Sequence, residues 1–302
     1  MTNSHPTHLS GGPTAMTIAN DRPEKSARSL LERAWQDKQL VFAASFVLIE
    51  MLLIPFAPLI APYSPVNASL EDKLLPPSWV HLLGTDSNGS DILSRLIFAP
   101  RVDLVVAIAA TLIAACVGTP FGIVAGYIRG ALGESLVRIG DVILTFPVFV
   151  LALVVVAAFG QGQVQTILVV GFVQAPIYLR LMFGVSAALA HKGFVESARL
   201  SGASRIHIIA RHILPNTFGP LFVQISITIG LSILLVSGLS FVGAGIQAPT
   251  PEWGSMIATG SLSLVLGYWW PSVFPGLAIG TTVMGFALLS ERLAALLEPD
   301  IA

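Results

Sequence analysis

Only a few side chains in this 302-residue chain could do chemistry within its long apolar stretches. The ionisable residues that stand out in or near those stretches are Glu50, Asp103, Asp141 and Arg180. A charge at membrane depth is costly, so each is a candidate for function. For Glu50 the alternatives are a place on a transport pathway, a contact with another helix, or a protonated form beside lipid. Asp103 and Asp141 lie near the ends of their stretches, where solvation or helix capping explains them without a special function.

Arg180 and Pro147 also bear on a possible pathway. Arg180, in "APIYLRLMFG", precedes the next polar loop by about ten residues, so its side chain is expected to snorkel to the interface, with pathway lining as the alternative. Pro147, in "LTFPVFVLALVVV", removes a backbone donor inside an apolar run. It predicts a kink that opens a cavity between helices, or one that packing simply accommodates.

Several other kinds of chemistry find no support in the sequence. The histidines at 81, 191, 207 and 212 are not clustered like metal ligands, and the single cysteine, Cys116, is expected to be a small packing residue. We therefore predict no metal site and no cofactor in this chain. No Gly-x-x-x-x-Gly-Lys-Ser/Thr phosphate loop occurs, so any ATP chemistry must come from another subunit. A net charge of -1 argues against nucleic-acid binding.

The elements that must position these residues are membrane helices. The chain is 54% hydrophobic and 11% charged, with a mean hydropathy of +0.79, which predicts an all-α polytopic membrane protein. A helix that crosses the hydrocarbon needs about 20 mostly apolar residues. Six stretches satisfy this criterion, at about 39–60, 102–127, 141–160, 166–190, 218–246 and 272–297.

Lysine and arginine set the predicted orientation. Twelve of them fall in the N-terminal tail, the loop after the second span, the stretch 191–216 and the C-terminal end, against Lys73, Arg95 and Arg101 on the other side. The richer side is cytosolic by the positive-inside rule, which places both termini in the cytosol. We predict a partly disordered cytosolic tail over residues 1–38 without a cleaved signal, and a transmembrane domain over residues 39–302.

Two external segments are predicted, at residues 61–101 and 247–271. The first is rich in turn formers and ends in a short amphipathic helix with Ile92, Leu93, Leu96 and Ile97 on one side. The second ends in an aromatic group suited to the membrane interface, and its middle could form a short re-entrant or interfacial helix.

The cytosolic stretch 191–216 is predicted to form two short helices, Phe194–Ser201 and Ala203–Leu214. The second carries an apolar face of Ile206, Ile209, Ala210 and Ile213. Gly202 permits a sharp turn or a close backbone approach, and Pro215 marks the return towards the membrane. This basic pair could simply meet lipid phosphates and enforce topology, or it could dock a soluble partner.

A family resemblance favours docking. "ESARLSGASRIHIIARHILPN" resembles the EAA loop of the membrane subunits of ATP-binding-cassette (ABC) importers. The positions that match the loop are Glu196, Ala198, Gly202, Leu214 and Pro215, and Ser197 departs from it. Four further stretches resemble the C-type permease of the peptide and nickel branch: "HLLGTDSNGSDILSRLIFAPR", "RHILPN", "SFVGAGIQAPTPEWGSM" and "WWPSVFPGLAI". Ser90, Phe183 and the Ser290-Glu291 pair depart from the pattern of this branch.

The resemblance implies a type I ABC importer permease fold and a set of partners. These are a second homologous permease, two cytosolic ATPases that bind ATP and Mg²⁺, an extracytoplasmic binding protein, and the bilayer of a bacterial inner membrane. It implies that the chain is not itself an enzyme and that ATPase coupling falls on Phe194, Val195, Glu196, Ser197, Ala198, Arg199, Gly202 and Ala203. The implied cargo is a di- or oligopeptide, with nickel or another small solute as the alternative. An ion-coupled secondary transporter using Glu50, Asp103 or Arg180 is the rival of a different class.

Overall fold

The structure is a computed structural model that describes residues 32–297. All but the last seven residues of the predicted N-terminal tail lie outside this range. Eleven α-helices are named here in chain order: α1 (Lys38–Ile60), α2 (Ile92–Phe98), α3 (Pro100–Ile128), α4 (Ala131–Leu144), α5 (Val148–Phe159), α6 (Gln163–Leu189), α7 (Gly193–Leu200), α8 (Arg205–Ile208), α9 (Leu214–Phe241), α10 (Trp253–Leu264) and α11 (Trp270–Leu297).

Six membrane crossings are present if one broken helix pair counts as a crossing. Five helical stretches are long and apolar enough to span a bilayer by themselves, and they include α2 with α3 and α8 with α9 as continuous stretches. The third predicted span, 141–160, is not one helix. It belongs to α4 and α5, which meet at 91°. Pro147 lies in the break, as the residue that precedes α5, so it separates two helices and does not kink one.

The broken pair connects opposite ends of the bundle. The ends of α3 and α6 lie together, as the hydrogen bond from the Arg129 guanidinium to the Ala187 carbonyl (3.4 Å) shows. We call this the hairpin end, since it carries α7 and α8. α4 begins there, whereas α5 leads to the far end, where the Gln247 amide donates to Gln161 (2.9 Å). α4 and α5 together therefore complete one crossing.

The centre of the bundle is a close contact between α3 and α6. Three glycines on α3, spaced four residues apart, leave room for the carbonyl groups of α6. A Cβ on any of them would lie 2.3–2.4 Å from a carbonyl oxygen; the pairs are Gly118 with Ala175, Gly122 with Leu179, and Gly126 with Phe183. Small residues stabilise membrane helix pairs through such close packing. Cys116 lies outside this contact and is exposed, so its predicted packing role is wrong.

The short helix predicted in the first external segment is present as α2, and the middle of the second segment, where the sequence left a short helix possible, forms α10. Asp91 caps α2 by accepting the Ser94 N–H (2.8 Å), and its other oxygen lies 2.9 Å from His81 Nδ1. Ile92 is buried, and Leu93, Leu96 and Ile97 are half-buried. The Trp270 indole donates to the Thr85 carbonyl (3.1 Å), so the segment before α2 is fastened to α11.

Candidate functional site

The stretch between α6 and α9 forms a helical hairpin, defined here as residues 191–216. Gly202 ends α7 with a φ of +81°, a left-handed conformation that favours glycine. The Ala203 N–H bonds to the Ala198 carbonyl (3.1 Å) and the Gly202 N–H to that of Arg199 (3.0 Å), which satisfies the end of the helix. Among residues 32–297, no atom lies within 4 Å of a Cβ built on Gly202, so the turn, and not a close approach by these residues, requires glycine.

The hairpin is packed against the bundle by an apolar core of its own. Val195, Ile208 and Ile213 are buried and form one cluster with Tyr127 and Met182 of the long helices. Val195, one of the coupling residues that the resemblance implies, is therefore not exposed for contact with a partner. Its burial instead holds the hairpin in a fixed position relative to α3 and α6.

A π-helical turn over Ile209–Ile213 joins α8 to α9, so the chain continues without a break from the hairpin into a span. In a π turn the bond runs from residue i+5 to residue i, here from the Leu214 N–H to the Ile209 carbonyl. Ile208 and Ile213, five residues apart, are therefore both buried. Of the predicted apolar face, Ile209 and Ile213 pack in this core, whereas Ile206 and Ala210 are exposed, so the prediction is wrong for those two residues. Pro215 lies in the first turn of α9 and does not interrupt the chain of helices.

The outer surface of the hairpin combines apolar and charged side chains. Leu200 is 89% exposed, Ile206 is 79% exposed, and Phe194 is exposed as well. Glu196 is exposed and makes no ion pair with any described residue. Arg199 lies over the Tyr127 ring, with its Cζ 5.9 Å from the ring centroid, so its charge also helps to hold the hairpin. Large apolar side chains exposed close in sequence to charged ones are candidates for a protein interface.

The three pathway candidates lie in two different parts of the bundle. Glu50 is buried between α1 and α11, with Oε1 2.5 Å from the Thr282 hydroxyl, so it contacts a helix and not an open cavity. Arg180 is exposed, and its Nη1 lies 3.3 Å from Asp141 Oδ1 across α6 and α4. Pro147 is exposed in the break between α4 and α5. Arg180 and Pro147 therefore lie near the same interruption of the bundle, and Glu50 does not.

A second polar site, at the far end, consists of two buried acids. Asp103 and Glu252 are fully buried, and their carboxyl groups lie side by side. Asp103 also accepts the Trp253 N–H (3.1 Å), and Glu252 caps α10 by accepting the N–H groups of Gly254 (2.9 Å) and Ser255 (2.6 Å). The expectation of a solvated Asp103 is thus wrong.

Burial raises the pKa of the Glu252 carboxyl, although hydrogen bonds from Asp103 and the α10 backbone oppose the change. Two carboxylates in dry contact cannot both be charged, so the pair must hold a proton. Glu252 receives two backbone donors and the favourable field of a helix start. The proton is therefore best placed on Asp103, which can then donate to Glu252.

Sequence reasoning missed Leu200, Ile206 and Glu252. Glu252 had a usable signal, since an acidic residue directly before a helix is a candidate N-cap. Nothing in the sequence identified Asp103 as its partner. The exposure of Leu200 and Ile206 depends on the turn at Gly202, which was predicted, and on the π turn, which was not.

The described residues thus form a polytopic membrane protein with up to six crossings, one broken helix pair and an exposed hairpin. The chain belongs to the family described as "Binding-protein-dependent transport system inner membrane component", which matches residues 118–302. It is thus a multi-pass inner-membrane permease component.

Relatives of nearly full length carry names of peptide transport systems. The probable D,D-dipeptide transport system permease protein DdpC of Escherichia coli (strain K12) is 35% identical over 92% of this chain and 94% of its own length. The di/tripeptide transport system permease protein DppC of Pseudomonas aeruginosa (strain UCBPP-PA14) is 33% identical, over 90% and 93%. The glutathione transport system permease protein GsiD of Escherichia coli O6:K15:H31 (strain 536 / UPEC) is 40% identical, over 86% of each chain.

The fold is similar to that of a solved transporter subunit. A chain from an inward-facing structure of the MetNI methionine ABC transporter superposes with a TM-score of 0.56. The match covers 68% of this chain and 97% of that chain, at 17% identity. This likeness supports the type I permease fold.

Proposed function

We propose that this chain is a translocation subunit of an ATP-driven importer for di- or oligopeptides. The observation that carries the proposal is similarity, over nearly the whole chain, to permeases named for D,D-dipeptides, di/tripeptides and glutathione. Nickel, the alternative cargo suggested by the sequence, is named in none of these three relatives. The peptide class is therefore the better supported cargo.

The complete importer would contain a second homologous permease, two cytosolic ATPases and an extracytoplasmic binding protein. ATP and Mg²⁺ would bind to the ATPases, and this chain would do no catalysis. The hairpin end would face the cytosol, with both termini on that side, because most lysines and arginines lie there. The far end, with α2 and α10, would receive substrate from the binding protein.

The hairpin is the proposed coupling element. Phe194, Leu200 and Ile206 would enter a groove of an ATPase, while Glu196 would form a charge-assisted hydrogen bond at its rim. Ser197, Ala198, Gly202 and Ala203 would allow close approach because they are small. Since α8 continues into α9, a displacement of the hairpin would move a whole span and so change which end of the pathway is open.

The coupling proposal is tested with Leu200→Asp and Ile206→Asp, singly and together. Both side chains are almost fully exposed, so the fold should tolerate the changes. We expect the double variant to lose ATPase co-purification and to lower ATP-dependent peptide uptake by about tenfold or more, which is the effect of losing an interface hot spot. Glu196→Lys should have the same effect at lower amplitude.

Leu70→Asp is the matched control, because Leu70 is 78% exposed in the external segment. It should leave ATPase binding unchanged. Normal ATPase binding and uptake by the double variant would rule out docking through the hairpin.

A further inference from the structure

The break between α4 and α5 lies on the surface of the chain at membrane depth. α4 runs beside α6 from the hairpin end, and Gly140 near its end packs against Pro176, 13 residues before the end of α6. Thr145, Phe146 and Pro147, which form the break, are all exposed. Non-helical backbone at this depth is tolerated only where protein covers it or where it lines a water-filled cavity, because hydrocarbon offers no hydrogen bonds.

An exposed ion pair lies beside the break. The Arg180 and Asp141 side chains are 67% and 42% exposed, respectively. Arg180 is nine residues before the end of α6, which corresponds to about 13 Å along a helix. A long arginine can reach an interface by snorkelling, but the short Asp141 side chain on α4 cannot. A pair of opposite charges facing lipid at this depth is costly, so this surface does not face lipid.

A cavity adjoins the pair on the side away from the hairpin end. It has a volume of about 420 Å³, and its lining includes Ile143 and Phe146 beside the break and Gln174 and Ile177 on α6. The cavity is mostly apolar, and the ion pair lies within a helical turn of it on both helices. An apolar cavity beside separable positive and negative groups suits a small zwitterion with an apolar side chain.

We propose that the surface formed by the break, Arg180 and Asp141 lines the translocation pathway. In this role Arg180 binds the carboxylate of a passing peptide and Asp141 its ammonium group. The ion pair is largely exposed, so exchanging it for these two contacts costs little. This inference rests on the proposed peptide importer and adds the residues that contact the substrate.

Thiol labelling tests whether water reaches this surface. In the assembled complex with Cys116 replaced by Ala, Thr145→Cys should react with a charged, membrane-impermeant thiosulfonate at least about tenfold faster than Ile49→Cys. Ile49 is an exposed apolar residue of α1, a helix packed mainly on α11, so it is the lipid-facing control. Equal slow rates at both positions would overturn the proposal whatever the substrate is.

Peptide uptake tests the ligand chemistry. With labelled Ala-Ala and its C-terminal amide as probes, Arg180→Gln should reduce the preference for the free acid about tenfold, and Arg180→Lys should restore most of it. Arg138→Gln is the control, since Arg138 pairs with Glu134 on α4 and is 80% exposed. An unchanged preference for the free acid in Arg180→Gln would overturn the carboxylate contact. If Arg180→Gln instead lost the second permease on purification, the surface would be a subunit interface and not a pathway. A wild-type complex that imports neither probe would refute the proposed cargo, while labelling still decides the pathway surface.

Discussion

Replacement of Asp103 by Asn should stabilise the protein, in a way that depends on pH. Asp103 accepts the Trp253 N–H and shares a proton with Glu252. An asparagine would reproduce both contacts, because its oxygen can accept and its NH₂ group can donate. Unlike the acid, it needs no added proton. Asp103→Asn therefore removes the cost of holding that proton while keeping the hydrogen bonds.

The size of the effect follows from the unfolded state. A free aspartate has a pKa of ~3.9, so keeping it protonated costs about 1.4 kcal/mol for each pH unit above that value, or about 4 kcal/mol at pH 7. The folded pair binds a proton that the unfolded chain has released, so the stability of the wild type falls as pH rises above ~4. The advantage of Asp103→Asn should be absent near pH 4 and should grow with pH, to an upper limit of about 4 kcal/mol at pH 7.

The assay is thermal unfolding in detergent at pH 4, 5.5, 7 and 8.5, followed by tryptophan fluorescence. Asp37→Asn is the matched control, because Asp37 also caps a helix through its Oδ1 but is not buried. It should show no gain that grows with pH. Glu252→Gln should be less stable than Asp103→Asn, since it weakens the cap of α10 and leaves Asp103 as the buried charge. A gain for Asp103→Asn that does not vary with pH, or a more stable Glu252→Gln, would refute this placement of the proton.

Three other predictions address the bundle, the hairpin and the rival mechanism. Gly122→Val should abolish accumulation of folded protein, because the new side chain would collide with the Leu179 carbonyl at a cost of about 3 kcal/mol or more. Gly184→Val is the control and should be recovered at the wild-type level, because no described atom lies within 4 Å of a Cβ at that position. Gly202→Ala should destabilise the hairpin turn by about 1–2 kcal/mol and lower ATP-dependent uptake at unchanged membrane insertion; full uptake would show that the turn tolerates a Cβ. Glu50→Gln should keep uptake within about twofold, since the amide retains the contact with α11, and abolished uptake would favour an ion-coupled transporter.

Local composition was enough to predict most of the architecture. The number of crossings follows from six apolar stretches of sufficient length, because the rise of a helix and the thickness of a bilayer are both fixed. The helix α2 and the turn at Gly202 were also predicted, since amphipathic periodicity and glycine act over a few residues, whereas α10 was only one of the possibilities left open. The family resemblance, carried by the stretch around Glu196 and Gly202, is confirmed by the family match.

The predictions that failed were based on local sequence patterns at positions where packing between distant parts of the chain decides the structure. Pro147 was expected to kink a helix and open a cavity; a cavity does lie beside it, but the chain breaks there into α4 and α5, which meet at 91°, and does not continue as one kinked helix. The apolar face of the second hairpin helix was assigned with the spacing of a regular α-helix. The π turn before α9 keeps Ile209 and Ile213 of that face in the apolar core but replaces Ile206 and Ala210 with Ile208.

The polar contacts were decided by the tertiary structure alone. The sequence showed that Asp103, Asp141 and Arg180 were unusual, because charge is rare in apolar stretches. It could not show that Asp103 meets Glu252, far away in the chain, or that Arg180 meets Asp141 on another helix. Those pairs exist because particular faces of the helices pack together, and which faces meet depends on the whole bundle. The sequence by itself determined which residues needed an explanation, and the tertiary structure determined what each of them contacts.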